Sequence, residues 1–166
     1  MITVLRLGHR LKRDERISTH VGLVARAFSA GEIIYSGDKD GGLIESVTSV
    51  AANWGGSFAV RYEKDWRKIL RKFKGCKVHL TIYGMPVQDK ISEIRKVKGD
   101  LLIIVGGEKV PGQVYEECDY NIAVTQQPHS EVAALAIFLH ELQQGKELDK
   151  KFIGGKLQVI PQEHGK

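Results

Sequence analysis

The sequence is poor in cysteine and contains no long apolar run. Cys76 and Cys118 are too few for a disulfide framework, and neither has a His or Cys at metal-ligand spacing, so we expect reduced thiols and no metal site. No stretch approaches the roughly 18 consecutive apolar residues of a membrane helix. The N-terminal segment MITVLRLGHRLKRDER lacks the apolar core and cleavage site of a signal peptide. These absences predict a cytoplasmic protein that does not enter a membrane.

The common hydrolytic and phosphate-binding motifs are also missing. No Ser-His-Asp order, pair of acid-base carboxylates or H-E-x-x-H motif can be assembled from the chain. Neither G-x-G-x-x-G nor G-x-x-x-x-G-K-[ST] is present. Hydrolytic chemistry and the two standard nucleotide-binding loops therefore have no support in the sequence.

The length and the net charge of the chain indicate its size class and a possible kind of partner. The chain has 166 residues, 42% of them hydrophobic, which suits one α/β domain with its own core. Its 25 Lys and Arg residues outnumber its 20 Asp and Glu residues, and the pI is about 9.2. This excess favours a polyanionic partner such as nucleic acid, although a basic protein without such a partner has the same composition.

Short apolar runs alternate with helical patterns along the chain. The predicted strands are residues 2–7, 32–35, 57–61, 77–83, 101–105 and 120–124, and the predicted helices are residues 18–29, 42–54, 64–73, 87–97 and 130–143, with a short one near Gln113. This order predicts an α/β fold with a mostly parallel sheet and helices on both faces. Ser18 or Thr19 can cap the first long helix. Residues 150–166, with a glycine pair at 154–155, predict a C-terminal hairpin.

Three loops follow predicted strands and have ligand-binding character. Residues 106–112 form a glycine-rich loop, residues 124–131 form a polar loop, and Gly84-Met85-Pro86 follows a third strand. Because ligands bind at the carboxyl ends of parallel strands, we expect the loops to line one crevice whose backbone groups can read an adenine edge. Each loop alone has a simpler interpretation: the first as a tight turn, Ser130 as a helix cap and His129 as a solvated residue.

Basic residues concentrate in the N-terminal segment. Its candidate phosphate contacts are Arg6, His9, Arg10, Lys12, Arg13 and Arg16, which the basic residues of the predicted third helix can join. Arg26 is different, because apolar residues surround it in its helix. A half-buried arginine has an ion-pair partner or points into a cleft.

Four ordered segments resemble a known family. They are V-L-R-L-G-H-R at residues 4–10, R-D-x-R-x-x-T-H-V at 13–21, G-G-E-K-V-P at 106–111 and Q-P-H-S-E-V-A-A-L-A at 127–136. The chain resembles the SPOUT methyltransferases, and within them the archaeal family that 2′-O-methylates cytidine 56 of tRNA. The resemblance implies a C-terminal trefoil knot and a homodimer whose active site draws on both subunits. It also implies one domain over residues 1–149, with an extension over 150–166 that packs at the dimer interface.

The same resemblance implies roles for individual residues. Arg26 is the expected catalytic residue and orients the ribose 2′-hydroxyl, since a guanidinium with a pKa above about 12 is a poor base. His20, which replaces the usual Asn of the first SPOUT motif, or His9 is the expected proton acceptor. The expected S-adenosylmethionine-binding residues are Leu80, Thr81, Tyr83, Gly84, Gly106, Gly107, Glu108, Lys109, Val110, Val124, Thr125, Gln126, Gln127, His129, Ser130, Glu131 and Val132.

Two other functions remain open at this point. The chain can be a SPOUT methyltransferase that modifies another RNA position, or a non-catalytic RNA-binding module that has kept the fold. The departures from the general SPOUT motifs bear on this question, because Ser130-Glu131-Val132 stands where Ser-Leu-Asn is common.

Overall fold

A computed structural model describes residues 1–107 and 109–165. In this part of the chain six strands form one sheet in the order β3-β2-β1-β5-β4-β6. The strands are β1 (Ile2–His9), β2 (Glu32–Gly37), β3 (Ala59–Tyr62), β4 (Cys76–Pro86), β5 (Leu101–Gly106) and β6 (Tyr120–Ala123). The helices are α1 (Glu15–Ala27), α2 (Gly41–Trp54), α3 (Trp66–Lys72), α4 (Val87–Ile94), α5 (Gly112–Glu117) and α6 (Glu131–Gln143), followed by a 3-10 turn (Lys146–Asp149).

All neighbouring strands are parallel, so their carboxyl ends meet at one edge of the sheet. Val4 of β1 pairs with Ile33 of β2 on one side and with Ile103 of β5 on the other. The chain builds outward from β1 to β2 and β3, and then returns to place β4, β5 and β6 on the other side. The strand order therefore reverses between β1 and β5, which is where open α/β sheets bind ligands.

The sheet separates two apolar cores. Alternate residues of β5 face opposite ways: Ile103 packs with α1, α2, α4 and α6, whereas Ile104 packs with Leu70 of α3 and Val114 of α5. Strands buried on both faces read as continuous apolar runs, which is why their positions were predictable. The predicted parallel sheet with helices on both faces is confirmed. No helix within the described residues is long and apolar enough to cross a membrane.

The predicted cap of the first helix is wrong. The helix α1 begins at Glu15, and Ser18 and Thr19 lie inside it. Asp14 occupies the cap position without a side-chain cap bond, because its carboxylate accepts hydrogen bonds from Nε and Nη2 of Arg10 at 2.9 and 3.1 Å. The polar first turn carries no apolar periodicity, so the pattern showed the helix only from its second turn.

The predicted C-terminal hairpin is also wrong. Residues 150–165 contain no strand and run along the end of α2. The Gly56 amide donates to the Ile153 carbonyl, and the Leu157 amide donates to the Asn53 carbonyl, both at 2.9 Å. A Cβ atom on Gly155 would lie 2.5 Å from the Trp54 carbonyl carbon. This glycine therefore serves a close backbone contact with α2, and not a turn between two strands.

Candidate active site

The three predicted loops lie side by side at the carboxyl edge of the sheet. They follow β5, β4 and β6, which are adjacent strands. His79 of β4 pairs with Ile104 of β5, and Leu80 and Met85 both pair with Ile122 of β6. Residues 81–84 therefore bulge out of the ladder between Leu80 and Met85. The structure brings the three loops together at one edge, as the sequence predicts.

Two glycines in these loops differ in what surrounds them. A Cβ atom on Gly84 would lie 2.5 Å from the Ile122 amide nitrogen, so the β4 bulge crosses β6 in direct backbone contact. Gly107 has no atom within 4 Å of that position and faces open space. Lys109 beside it is exposed, whereas Glu108, predicted to bind the cofactor, lies outside the described residues. The β4 loop is thus packed against protein, and the β5 loop has room for a ligand.

A buried polar network beneath these loops was not predicted. His79 is fully buried, and its Nδ1 lies 2.9 Å from Oδ1 of Asn121 on β6. Its ring packs edge-on against Tyr115 of α5, whose hydroxyl lies 3.2 Å from that of Thr81. Burial lowers the pKa of His79, against the opposing effect of the Asn121 hydrogen bond, so the ring is neutral. The network ties the β4 loop to α5 and β6; polar residues inside apolar strands were its only sequence signal.

The loop from β6 to α6 is held by its own side chains. Ser130 caps α6, accepting a hydrogen bond from the Val132 amide at 3.1 Å, which confirms its simpler interpretation. The His129 ring contacts the Gln127 carbonyl at 2.7 Å, and the Gln127 amide donates to Thr125 at 3.3 Å. These local bonds give the loop a defined shape, while Thr125, Gln126 and Gln127 are exposed. Its backbone is therefore ordered and accessible.

Arg6 does not lie on the surface, so its prediction as a phosphate contact is wrong. Its side chain is 1% exposed, and its Nε lies 3.0 Å from Oε2 of Glu131 at the start of α6. Burial raises the pKa of Glu131, a shift that the neighbouring charge of Arg6 opposes. The central place of β1 explains the error, because both faces of this strand are covered, and Arg6 lies on the same face as Val4. The pair links β1 to the loop between β6 and α6.

His9 is buried as well, which corrects both roles predicted for it. Its side chain is 1% exposed, its Nδ1 lies 2.9 Å from Oγ of Ser18, and its Nε2 lies 3.3 Å from Oδ2 of Asp40. With both ring nitrogens engaged and no surface exposed, His9 is neither a phosphate contact nor an accessible proton acceptor. The other four basic residues of the segment, Arg10, Lys12, Arg13 and Arg16, are exposed.

A cavity of about 650 Å³ opens where β1, β2 and β5 end. Its lining includes the predicted residues Arg10, Arg13, Gly106, Gly107 and Lys109, together with Asp38, Lys64 and Trp66, which sequence reasoning missed. Trp66 is the first residue of α3, and Lys64 lies two residues before it, on the face of the sheet opposite α1 and α6. This helix lies beside the loops only in the folded sheet. The spacing of residues along the chain did not indicate that the helix and the loops are neighbours.

Arg26 lies at the other end of the molecule. It belongs to the last turn of α1, which runs from the carboxyl edge of the sheet to the amino edge, where the Gly31 amide bonds the Ile2 carbonyl. Its Nη2 donates to the Gly55 carbonyl at 2.7 Å, and its guanidinium lies 4.6 Å from the centroid of the Phe152 ring. Burial lowers the pKa of Arg26.

The two predicted catalytic side chains are therefore not assembled within one chain. Arg26 is 8% exposed at the amino edge, and His20 is exposed midway along α1. The three loops lie at the opposite, carboxyl edge. A chain that uses Arg26 at these loops needs a second copy to supply it.

Comparison with known proteins decides the family. Residues 54–166 match the family model described as tRNA ribose 2′-O-methyltransferase, aTrm56. The chain belongs to this aTrm56 family. Similar proteins named tRNA (cytidine(56)-2′-O)-methyltransferase come from Pyrococcus abyssi, with 55% identity over 100% of this chain and 86% of that protein, and from Thermococcus kodakarensis, with 54% identity over 100% and 95%. A third, from Methanopyrus kandleri, is 52% identical over 98% and 93%.

Solved structures at lower identity share the fold of this aTrm56 member. The TrmH/SpoU tRNA modifying enzyme of A. aeolicus has a TM-score of 0.63 at 15% identity, over 88% of this chain and 75% of that one. AviRb of Streptomyces viridochromogenes, solved with AdoMet, has a TM-score of 0.56 at 17% identity over 87% and 57%. The AdoMet-bound rRNA methyltransferase of Sinorhizobium meliloti has 0.59 at 18% over 86% and 55%. The chain spans less than two thirds of the last two proteins.

Proposed function

We propose that the chain transfers a methyl group from S-adenosylmethionine to the ribose 2′-hydroxyl of cytidine 56 in tRNA. The observation that carries this proposal is its identity of 52 to 55% with cytidine-56 methyltransferases over nearly its whole length. The juxtaposition of the three loops at one sheet edge supplies a place for the cofactor. We place the activity in the cytoplasm and invoke no metal ion.

The loops fit S-adenosylmethionine in chemistry as well as in position. An adenine edge and a methionine moiety need backbone donors and acceptors and a few neutral side chains, which the three loops offer at one edge. The open space at Gly107 gives the ligand access to backbone, and the hydroxyls of Thr81 and Ser130 lie on the flanking loops. The residues that would hold it are those of loops 80–84, 106–110 and 124–132.

When bound, S-adenosylmethionine would supply the methyl group. The ribose 2′-oxygen would bond to the methyl carbon as the carbon–sulfur bond breaks, and the electron pair of that bond would stay on sulfur. The hydroxyl proton would leave for an acceptor. Arg26 orients the 2′-hydroxyl, since a guanidinium donates hydrogen bonds and does not accept a proton near neutral pH. His20 is the proton acceptor in this proposal, because His9 is buried with both nitrogens engaged.

A homodimer is part of the proposal, because Arg26 lies at the edge opposite the loops of its own chain. Surface chemistry supports it. The helix α6 is apolar around much of its circumference, and its Ile137 is 45% exposed. A helix that is apolar on all sides is normally buried by another part of the protein or by a partner. Tyr83 and Met85 on the β4 loop are 82% and 53% exposed. We propose that a second copy covers these residues and that the tail over residues 150–166 packs at the same interface. We further infer that the loops after β4 and β6 form the trefoil knot of SPOUT enzymes.

The proposal is tested by incubating the protein with unmodified tRNA transcript and methyl-labelled cofactor. Label should enter the transcript, and a matched tRNA carrying dC56 should take up none, because it lacks the 2′-hydroxyl. Equal labelling of both RNAs would redirect the activity to another position. An absence of transfer together with an absence of cofactor binding in calorimetry would favour the non-catalytic RNA-binding module.

A further inference from the structure

The cavity of about 650 Å³ lies beside the loops assigned to the cofactor and shares only one of them. Gly106, Gly107 and residues 109–111 of the β5 loop line it, and among the described residues its other walls come from β1, β2 and the segment at the start of α3, with none from β4 or β6. We propose that this cavity binds the nucleotide whose ribose is methylated, with Lys64 and Trp66 as its outer wall. The inference rests on the proposed function and assigns the substrate's place within it.

The charge of the lining suits a nucleotide with phosphates on both sides. Lys64 and Lys109 line the cavity together with Arg10 and Arg13, and Asp38 supplies its carboxylate; Arg10 is itself paired with Asp14. The Asp38 carboxylate already accepts a hydrogen bond from the Leu11 amide at 3.0 Å, which holds the β1 loop in place. Lysine and arginine side chains facing a cavity attract phosphate groups.

Trp66 provides a surface for a base. Its side chain is half-buried against the core beneath α3, and the guanidinium of Arg67 lies 4.4 Å from its ring centroid. Arg67 is fixed in turn by Gln113 of α5 at 2.8 Å. Unpaired RNA bases stack on aromatic rings, so Trp66 at the cavity wall is suited to contact a single base.

The size of the cavity restricts what can enter. A volume of about 650 Å³ lies within the range of sites for single small ligands, roughly 300–1,000 Å³. One nucleotide fits and a paired duplex does not, so the target must be turned out of its stack. The β5 loop is the shared wall, with open space at Gly107, so a ribose in the cavity meets the cofactor loops there.

The test compares Lys64→Ala and Trp66→Ala with a matched control, Lys98→Ala, whose exposed lysine precedes β5 at the amino edge of the sheet and does not line the cavity. Lys64→Ala should raise the KM for tRNA about fivefold and lower the salt dependence of binding by about one unit of logarithmic slope. Trp66→Ala should raise the KM about tenfold, and Trp66→Phe should restore most of the affinity. Lys98→Ala should change neither value by more than about twofold.

Calorimetry with S-adenosylmethionine completes the test. The cofactor Kd should stay within about twofold in all variants, since loss of tRNA contacts leaves the cofactor site intact. An unchanged KM in both cavity variants would overturn the proposal, and a weakened cofactor Kd would assign the cavity to the cofactor instead. If the wild-type protein transfers no methyl group, the proposed function fails separately, and filter binding of tRNA to the same variants still decides whether the cavity holds RNA.

Discussion

At the scale of single residues, the carboxyl edge of the sheet is organised by buried charges. Arg6, Glu131 and Asp14 lie close enough to influence one another, and Arg10 completes the group. Arg6 is the side chain that joins β1 to the start of α6. A charge buried without its counter-charge is strongly unfavourable, so these side chains fix the position of the β6 loop relative to β1.

The Arg6–Glu131 pair gives a stability prediction. Arg6→Met should lower the free energy of unfolding by about 3–5 kcal/mol, because Glu131 is left buried without a partner. The double variant Arg6→Met with Glu131→Leu should recover most of that loss, since it removes both charges. Urea denaturation measures both proteins. A double variant as unstable as Arg6→Met alone would show that the pair is not the source of the effect.

Asp14 gives a pH prediction. The hydrogen bonds from Arg10 hold the pKa of this carboxyl below its ordinary value of 3.8. A lowered pKa in the folded state contributes stability above the ordinary pKa, and this contribution is lost as pH falls through the folded value. Asp14→Asn should therefore cost about 1 kcal/mol near pH 7, and this cost should shrink as the pH falls below 3.8. Denaturation at several pH values tests this, and a pH-independent difference would contradict it.

At the scale of elements, α6 carries the prediction about assembly. Its exposed Ile137 sits on the face that we assign to the partner. Ile137→Lys should weaken the dimer at least about tenfold, because it places a charge in an apolar interface. Thr48→Lys, at an exposed position of α2, adds the same charge and should leave the dimer intact. Sedimentation velocity distinguishes the two, and equal behaviour of both variants would move the interface away from α6.

The elements also show which features a sequence can reveal. All six strands were found to within three residues at each end, most easily the central ones, because strands buried on both faces are continuous apolar runs. The helix α1 began one turn earlier than expected, since its first turn is polar. The tail was wrong because its hydrogen-bonding partner is α2, which is distant in sequence. The three loops were predicted by their place after strands, but Lys64 and Trp66 were missed because only tertiary packing brings α3 to the same edge.

At the scale of the whole molecule, the proposed active site needs two chains. Arg26 and the three loops lie at opposite edges of each chain, so in the proposed dimer the partner's arginine would complete the site. Arg26→Ala should lose turnover and keep cofactor affinity. Gly107→Val should fold, because no atom lies within 4 Å of the added carbon, but should block the β5 loop.

Mixing these two inactive variants tests the shared site. Random reassociation should restore about a quarter of the wild-type rate, since half of the dimers then contain one intact site out of two. The measurement is methyl transfer before and after the mixture is dissociated and reassembled. Failure to recover any activity, with mixed dimers demonstrated, would place Arg26 and the loops in the same subunit's site.

The central claim concerns one ribose in one RNA. The most direct measurement digests tRNA after incubation with the protein and S-adenosylmethionine and maps the modified nucleotide by mass spectrometry. We expect a single added methyl group on the 2′-oxygen of cytidine 56. A methyl group at any other nucleotide, or on the base of cytidine 56, would contradict it.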